Sequence, residues 1–148
     1  MNPIELLKHD HRELEQCLNQ VGQAKNDAER QQQLEKFHKL LEVHDALEMQ
    51  AFYPACQREQ VDSELINDFK NVHQEAMRLT IRLKDLSGGE WQDTFSQMKH
   101  SVLNHIQQEE HELFPDVQQQ LSPEVMDQLG SQMKQLHDRQ AQALGIQS

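Results

Sequence analysis

Cysteine, glycine, proline and aromatic residues are all scarce in this chain, and positive charge is outnumbered. The two cysteines, Cys17 and Cys56, are far apart and form no CxxC pair, so neither a disulfide framework nor a thiolate zinc site is implied. They read as small packing residues of a reducing compartment. Five glycines and four prolines leave few turns, while Ala, Leu, Glu, Gln and Lys outweigh the β-branched and aromatic residues that strands favour. The expected class is all-α.

Fourteen Lys and Arg stand against 25 Asp and Glu, a formal net charge of −11. The basic footprint that nucleic acid or an anionic membrane surface requires is missing, so neither is an expected partner. No apolar run reaches the roughly 18 to 20 residues that span a bilayer, and MNPIELLKHD has neither the basic nor the apolar region of a secretory signal. A cytoplasmic location is the expectation. HExxH, G-x-S-x-G and P-loop signatures are absent as well.

What is present is a repeat. HDALEMQAFYP (44–54) and HIQQEEHELFP (105–115) share the frame H-x-x-x-E-x-x-x-[FL]-[YF]-P at one offset, 105 − 44 = 109 − 48 = 115 − 54 = 61. Apolar periodicity places these segments on the second and fourth of five helices. The first starts at an Asn2–Pro3 cap and runs to about Gly22; the second carries Leu34, Phe37 and Leu41 and is expected to end near Pro54. The third, capped by Asp62 or Ser63, carries Ile66, Phe69, Ala76, Thr80 and Leu83 until Ser87-Gly88-Gly89 breaks it. Trp91, Phe95, Met98 and Val102 mark the fourth, expected to stop by Pro115, and Ser122-Pro123-Glu124 opens a fifth over about 122–140 before a tail expected to fray.

Four such helices with short connections predict an up-down-up-down four-helix bundle over about residues 3–116, the fifth helix lying against it, in a single domain spanning 1–148. His11 and His73 relate the first and third helices by 73 − 11 = 62, so a whole helical hairpin is duplicated.

The core stripes carry polar residues at matching places. Leu7, His11, Leu14, Leu18 step by 4, 3, 4, and Leu34, Phe37, Leu41, His44, Glu48, Ala51 step by 3, 4, 3, 4, 3. Ile66, Phe69, His73, Ala76, Thr80 and Phe95, Met98, Val102, His105, Glu109 both step by 3, 4, 3, 4. Four histidines and two glutamates therefore point inward. His9, His38, His100 and His111 fall off the stripes, His137 is ambiguous, Glu110 reads as an exposed neighbour, and Tyr53 reads as packing or as touching the site's surroundings. A single inward histidine is usually a satisfied core imidazole. Two ionised carboxylates in an apolar bundle, with no Lys or Arg on the same stripes, cost several kcal/mol each unless a cation compensates them.

Two bridging carboxylates would give each of two ions two histidines and two oxygens, with coordination positions left open. Imidazole and carboxylate without thiolate suit iron, with manganese or zinc as competitors. The alternative is a structural duplication with core histidines.

On these segments, together with LLKHDHREL around His11 and with His73, the sequence resembles the hemerythrin-like, HHE cation-binding domains over about residues 3–116. The resemblance implies a non-haem di-iron centre in a four-helix bundle, with His11, His44, Glu48, His73, His105 and Glu109 as ligands. It departs at Met77, where oxygen carriers place a second histidine, and at Glu109, where they commonly have Asp. The resemblance thus points to members associated with peroxide, nitric oxide or iron-level chemistry rather than oxygen carriage. Three functions follow as expectations: a di-iron protein binding or reacting with O2, peroxide or nitric oxide, as an enzyme in its detoxifying version; an iron or oxygen sensor or iron-binding module without turnover; and a metal-free helical scaffold.

Overall fold

The computed structural model describes residues 2–146. It consists of α1 (Pro3–Gly22), α2 (Asp27–Leu47), α3 (Tyr53–Arg58), α4 (Ser63–Arg82), α5 (Gly88–Gln108), α6 (Phe114–Gln120) and α7 (Pro123–Ala143), with no strand among the described residues. Side-chain caps fix the starts: Asn2 accepts from the Ile4 N–H at 2.8 Å, Asn26 from Glu29 at 2.8 Å, Asp62 from Leu65 at 3.0 Å and Ser122 from Val125 at 3.2 Å. The Asn26 cap starts α2 at Asp27, so the polar DAER stretch is helical and α2 begins well before Leu34.

Two expected helix ends are corrected. Pro54 and Pro115 do not stop their helices, because each is preceded by a π-helical segment, Glu48–Phe52 and Glu109–Leu113, that joins α2 to α3 and α5 to α6. Proline removes one N–H and its ring collides with the carbonyl four residues back in an α-helix. Here the helix is widened at that point: the Tyr53 N–H bonds to the Glu48 carbonyl and the Phe114 N–H to that of Glu109, each five residues back. The rods continue to Arg58 and Gln120.

Four rods, α1, α2–α3, α4 and α5–α6, form the bundle, and α7 packs against α1 and α2. Expected fraying from Ala141 is also corrected. Ala141 is buried, α7 runs to Ala143, and Gly145 (φ +73°) closes it with Ile146 N–H to Ala141 O at 2.8 Å and Gly145 N–H to Gln142 O at 3.2 Å. Gln147 and Ser148 lie outside the described residues.

The apolar interior is split into two clusters. One holds Leu7, Leu47, Phe52, Tyr53, Phe69, Phe114 and the Leu129, Met133, Leu136 stripe of α7; the other holds Leu14, Leu18, Phe37, Leu41, Trp91, Phe95, Met98 and Val102. Between Leu7 and Leu14 lies a layer of buried polar side chains. Because Leu18 is wholly buried in the second cluster, away from this layer, Leu18→Ala is expected to cost about 3 kcal/mol in thermal unfolding. A loss below about 1 kcal/mol would show that this end of the core is loosely packed.

Candidate metal centre

The polar layer contains all six residues singled out in the sequence. His11 comes from α1, His44 and Glu48 from the second rod, His73 from α4, and His105 and Glu109 from the fourth rod; each is 6 % exposed or less. Ligand-type atoms of His11, His44, Glu48 and Glu109 lie within 4.8 Å of one another, and so do those of Glu48, His73, His105 and Glu109. Two sets of four thus share two carboxylates and could each hold a cation.

The Nε2 atoms and carboxylate oxygens converge. His11 Nε2 is 3.1 Å from Glu109 Oε1, His105 Nε2 is 3.5 Å from Glu109 Oε2, and Glu48 Oε1 is 2.7 Å from His44 Nε2 and 3.0 Å from His73 Nε2. Yet His11 Nε2, His44 Nε2, both Glu48 oxygens and Glu109 Oε1 have no hydrogen-bond partner. Buried polar atoms are nearly always satisfied, so five orphans aimed at common points fit a cation better than a hydrogen-bonded core.

Outer contacts orient the rings. His11 Nδ1 donates to Glu110 at 2.7 Å, His44 Nδ1 to Asp10 at 3.3 Å and His73 Nδ1 to Asp45 at 2.5 Å. Donation from Nδ1–H leaves the Nε2 lone pair for a cation. His105 Nδ1 alone has no partner and its ring stands edge-on to Phe69, centroids 4.6 Å apart. Tyr53, fully buried, donates to Glu109 Oε2 at 2.6 Å, while its repeat counterpart Phe114 stacks on His11.

Periodicity did not find Asp10, Asp45 and Glu110. Each neighbours an inward residue in sequence and is rotated about 100° from it, which places it at the seam between rods rather than on the outside. The available signal was adjacency, as in the H-D-H of His9–His11 and the H-D of His44–Asp45. Glu110 is therefore corrected from an exposed neighbour to a partner of His11, its side chain 14 % exposed and also paired with Arg12. Ambiguous His137 proves to reach Asp10, its Nε2 3.5 Å from Oδ1. His9 is exposed, as expected, beside Glu13.

Two spaces adjoin the layer. A cavity of about 20 Å³, room for one water-sized molecule, is walled by Leu14, Leu41, Ala76 and Val102 against His44, His73 and His105. A surface groove of about 440 Å³ outside His73 is lined by Asp45, Met49, Gln74, Met77, Arg78 and Ile81. Met77 belongs to this groove.

Protonation follows from the crowding. Burial opposes charge on His44 and His73, but Glu48, joined by Asp10 at His44 and by Asp45 at His73, outweighs it and lifts His44 well above its ordinary value and His73 to about 9. Burial also opposes charge on Glu48, yet His44 and His73 hold it well below the carboxylate range. Burial and then Glu48 push Glu109 well up. Burial, joined by the neighbouring imidazoles, takes His11 down to about 4 and His105 to about 3. Asp10 is held at about 2 against its burial by His137 and His44.

A model of the hemerythrin HHE cation-binding domain matches residues 2–117, ending before α7. A curated DNA nickase of Nostoc sp. (strain PCC 7120) is 24 % identical over the whole chain, which spans only 42 % of that protein. The crystal structure of a hemerythrin HHE cation-binding domain-containing protein homologue from Mycobacterium kansasii superposes with a TM-score of 0.82 at 20 % identity, covering 97 % of this chain and 89 % of the other. That similarity establishes the fold.

Two outcomes are expected of the metal-free protein. Its stability should peak near pH 6.5. Above that value His73 and His44 keep protons the unfolded chain releases, so the His73 contribution is lost as pH rises through about 9 and that of His44 as pH rises well above its ordinary value; below it the unfolded imidazoles take up protons that His11 and His105 refuse until about 4 and 3. Thermal midpoints across pH 4–10 would check this, and a flat profile would contradict it. Glu109→Gln, which mimics the protonated acid, should leave the midpoint unchanged or higher, whereas Glu48→Gln strands two imidazolium groups and should cost about 3 kcal/mol. Equal effects of the two substitutions would contradict the assignment.

Proposed function

Because the chain belongs to the hemerythrin HHE cation-binding domain family, we propose that it is a non-haem di-iron protein binding or reacting with O2, peroxide or nitric oxide at the bundle centre. The observation that carries the reading is the set of buried, orphaned nitrogen and oxygen atoms converging from four rods. His11 and His44 would hold one ion and His73 and His105 the other, with Glu48 and Glu109 within reach of both. Manganese and zinc accept the same donor types and are the competing metals. Two ferrous ions held there would supply electrons, and open coordination positions, to a small oxidant.

The protein's own part is to position and to exclude. Asp10, Asp45 and Glu110 fix three imidazoles with Nε2 turned inward. Tyr53 holds one oxygen of Glu109 and keeps its phenolic proton, since burial and then Glu109 push that group far up. Leu14, Leu41, Ala76 and Val102 give the 20 Å³ space beside His44, His73 and His105 an apolar wall, with room for one water-sized molecule. Small apolar ligands match such a space.

A second reading, an iron or oxygen sensor or binding module without turnover, is favoured by the polar layer itself: metal binding displaces protons and relieves the Glu48–Glu109 repulsion, so occupancy adds folding free energy. Such a chain would signal to a protein partner. Nicking of DNA is not assigned to this chain. The relative bearing that name is much longer, and a net charge of −11 opposes approach to a phosphate backbone.

Anaerobic ferrous titration is expected to give two irons per chain, with affinity rising with pH as His44, His73 and Glu109 give up protons. Admitting nitric oxide or air should then change the near-ultraviolet and visible spectrum. The second iron should bind about 10-fold more weakly, because His105 lacks the outer partner that His11, His44 and His73 possess. Fewer than two irons, or a spectrum indifferent to every small ligand, would contradict the proposal. Consumption of peroxide or nitric oxide faster than by free iron selects the enzyme; binding without turnover, with a large rise in thermal midpoint on loading, selects the sensor.

A further inference from the structure

Helix α7 belongs to neither half of the duplication, and one of its side chains nevertheless joins the wiring of the polar layer. Leu129, Met133 and Leu136 bury α7 against the bundle. That packing sets His137, next in sequence, against α1 with its side chain 19 % exposed. His137 Nε2 lies 3.5 Å from Asp10 Oδ1, and the other oxygen of the same carboxylate accepts from His44 Nδ1 at 3.3 Å. The far ring nitrogen of His44 is one of the orphans directed at the first cation position. His137 Nδ1 has only a loose neighbour in exposed Asp138, at 3.9 Å.

We propose that His137 is a positioning residue of the metal centre, acting through Asp10 on His44 and so on retention of metal at the His11–His44 position. The inference rests on the di-metal reading above. Asp10 has two oxygens and two ring partners; with both made, its carboxylate is clamped across the seam between α1, α2 and α7. Clamped in this way it holds the His44 ring in the tautomer that presents a lone pair inward. Loss of His137 frees one oxygen, lets the carboxylate turn, and leaves His44 without a fixed orientation. The other half of the duplication has no such device, because Val72 stands in place of Asp10 (72 − 10 = 62). Outer partners of metal-bound histidines are worth 10- to 100-fold in affinity, and a group one contact further out falls at the lower end.

The test is a double-substitution cycle on the full chain, with ferrous ion as the probe and dissociation constants from anaerobic competition with a chelator. His137→Ala should weaken the tighter ferrous equivalent about 10-fold, Asp10→Asn at least as much, and the double variant no more than Asp10→Asn alone. Leu136→Ala, which loosens α7 packing without touching Asp10, provides the control: at an equal fall in metal-free thermal midpoint it should weaken ferrous binding less than His137→Ala. Wild-type affinity in His137→Ala, full additivity with Asp10→Asn, or an equal effect of Leu136→Ala would each overturn the inference while leaving the metal centre standing. A wild-type chain that takes up no ferrous ion overturns the di-metal reading and this coupling together.

Discussion

Two carboxyl groups, Glu48 and Glu109, lie together in the interior, Glu48 against the His44 and His73 rings and Glu109 against those of His11 and His105. Their mutual repulsion is the constraint around which the polar layer is organised. In the absence of a cation it is relieved by protons: Glu109 keeps one and the imidazoles beside Glu48 keep others. A bound cation would relieve it by charge. The apolar clusters above and below supply the rigidity that holds six polar side chains at convergence, since the layer itself is a net cost to folding.

The duplication treats inner and outer residues differently. His11 with His73, His44 with His105 and Glu48 with Glu109 are preserved as pairs. Their surroundings are not: Asp10 is matched by Val72, Asp45 by Ile106, Glu110 by Met49 and Tyr53 by Phe114. Each outer polar contact therefore exists in one half only, and a nearly twofold set of donors sits in a one-sided environment. The halves consequently differ in ring orientation, in local charge and in the proton held beside Glu109, which is a physical basis for two inequivalent cation positions on one repeated scaffold.

Periodicity made the fold class, the inward histidines and the two glutamates legible, because an uninterrupted 3.6-residue repeat maps directly onto a helix face. Prolines misled at Pro54 and Pro115. The rule that proline ends a helix holds for α geometry, and here a π turn beginning at Glu48 or Glu109 opens the backbone before the ring arrives. The same turn brings Tyr53 and Phe114 to the layer, which explains why an α-helical wheel could not place the Tyr53 hydroxyl on Glu109. Asp10, Glu110 and His137 were illegible for another reason. Their roles depend on which rods are neighbours and at what height, and that information resides in tertiary packing rather than in any single helix.

Anomalous diffraction at the iron edge, from crystals of anaerobically loaded protein, tests the central claim most directly. Two peaks, one between His11 and His44 and one between His73 and His105, with Glu48 and Glu109 spanning them, are the result this account predicts. A single peak, or none within the polar layer of a protein that had taken up iron, would contradict it.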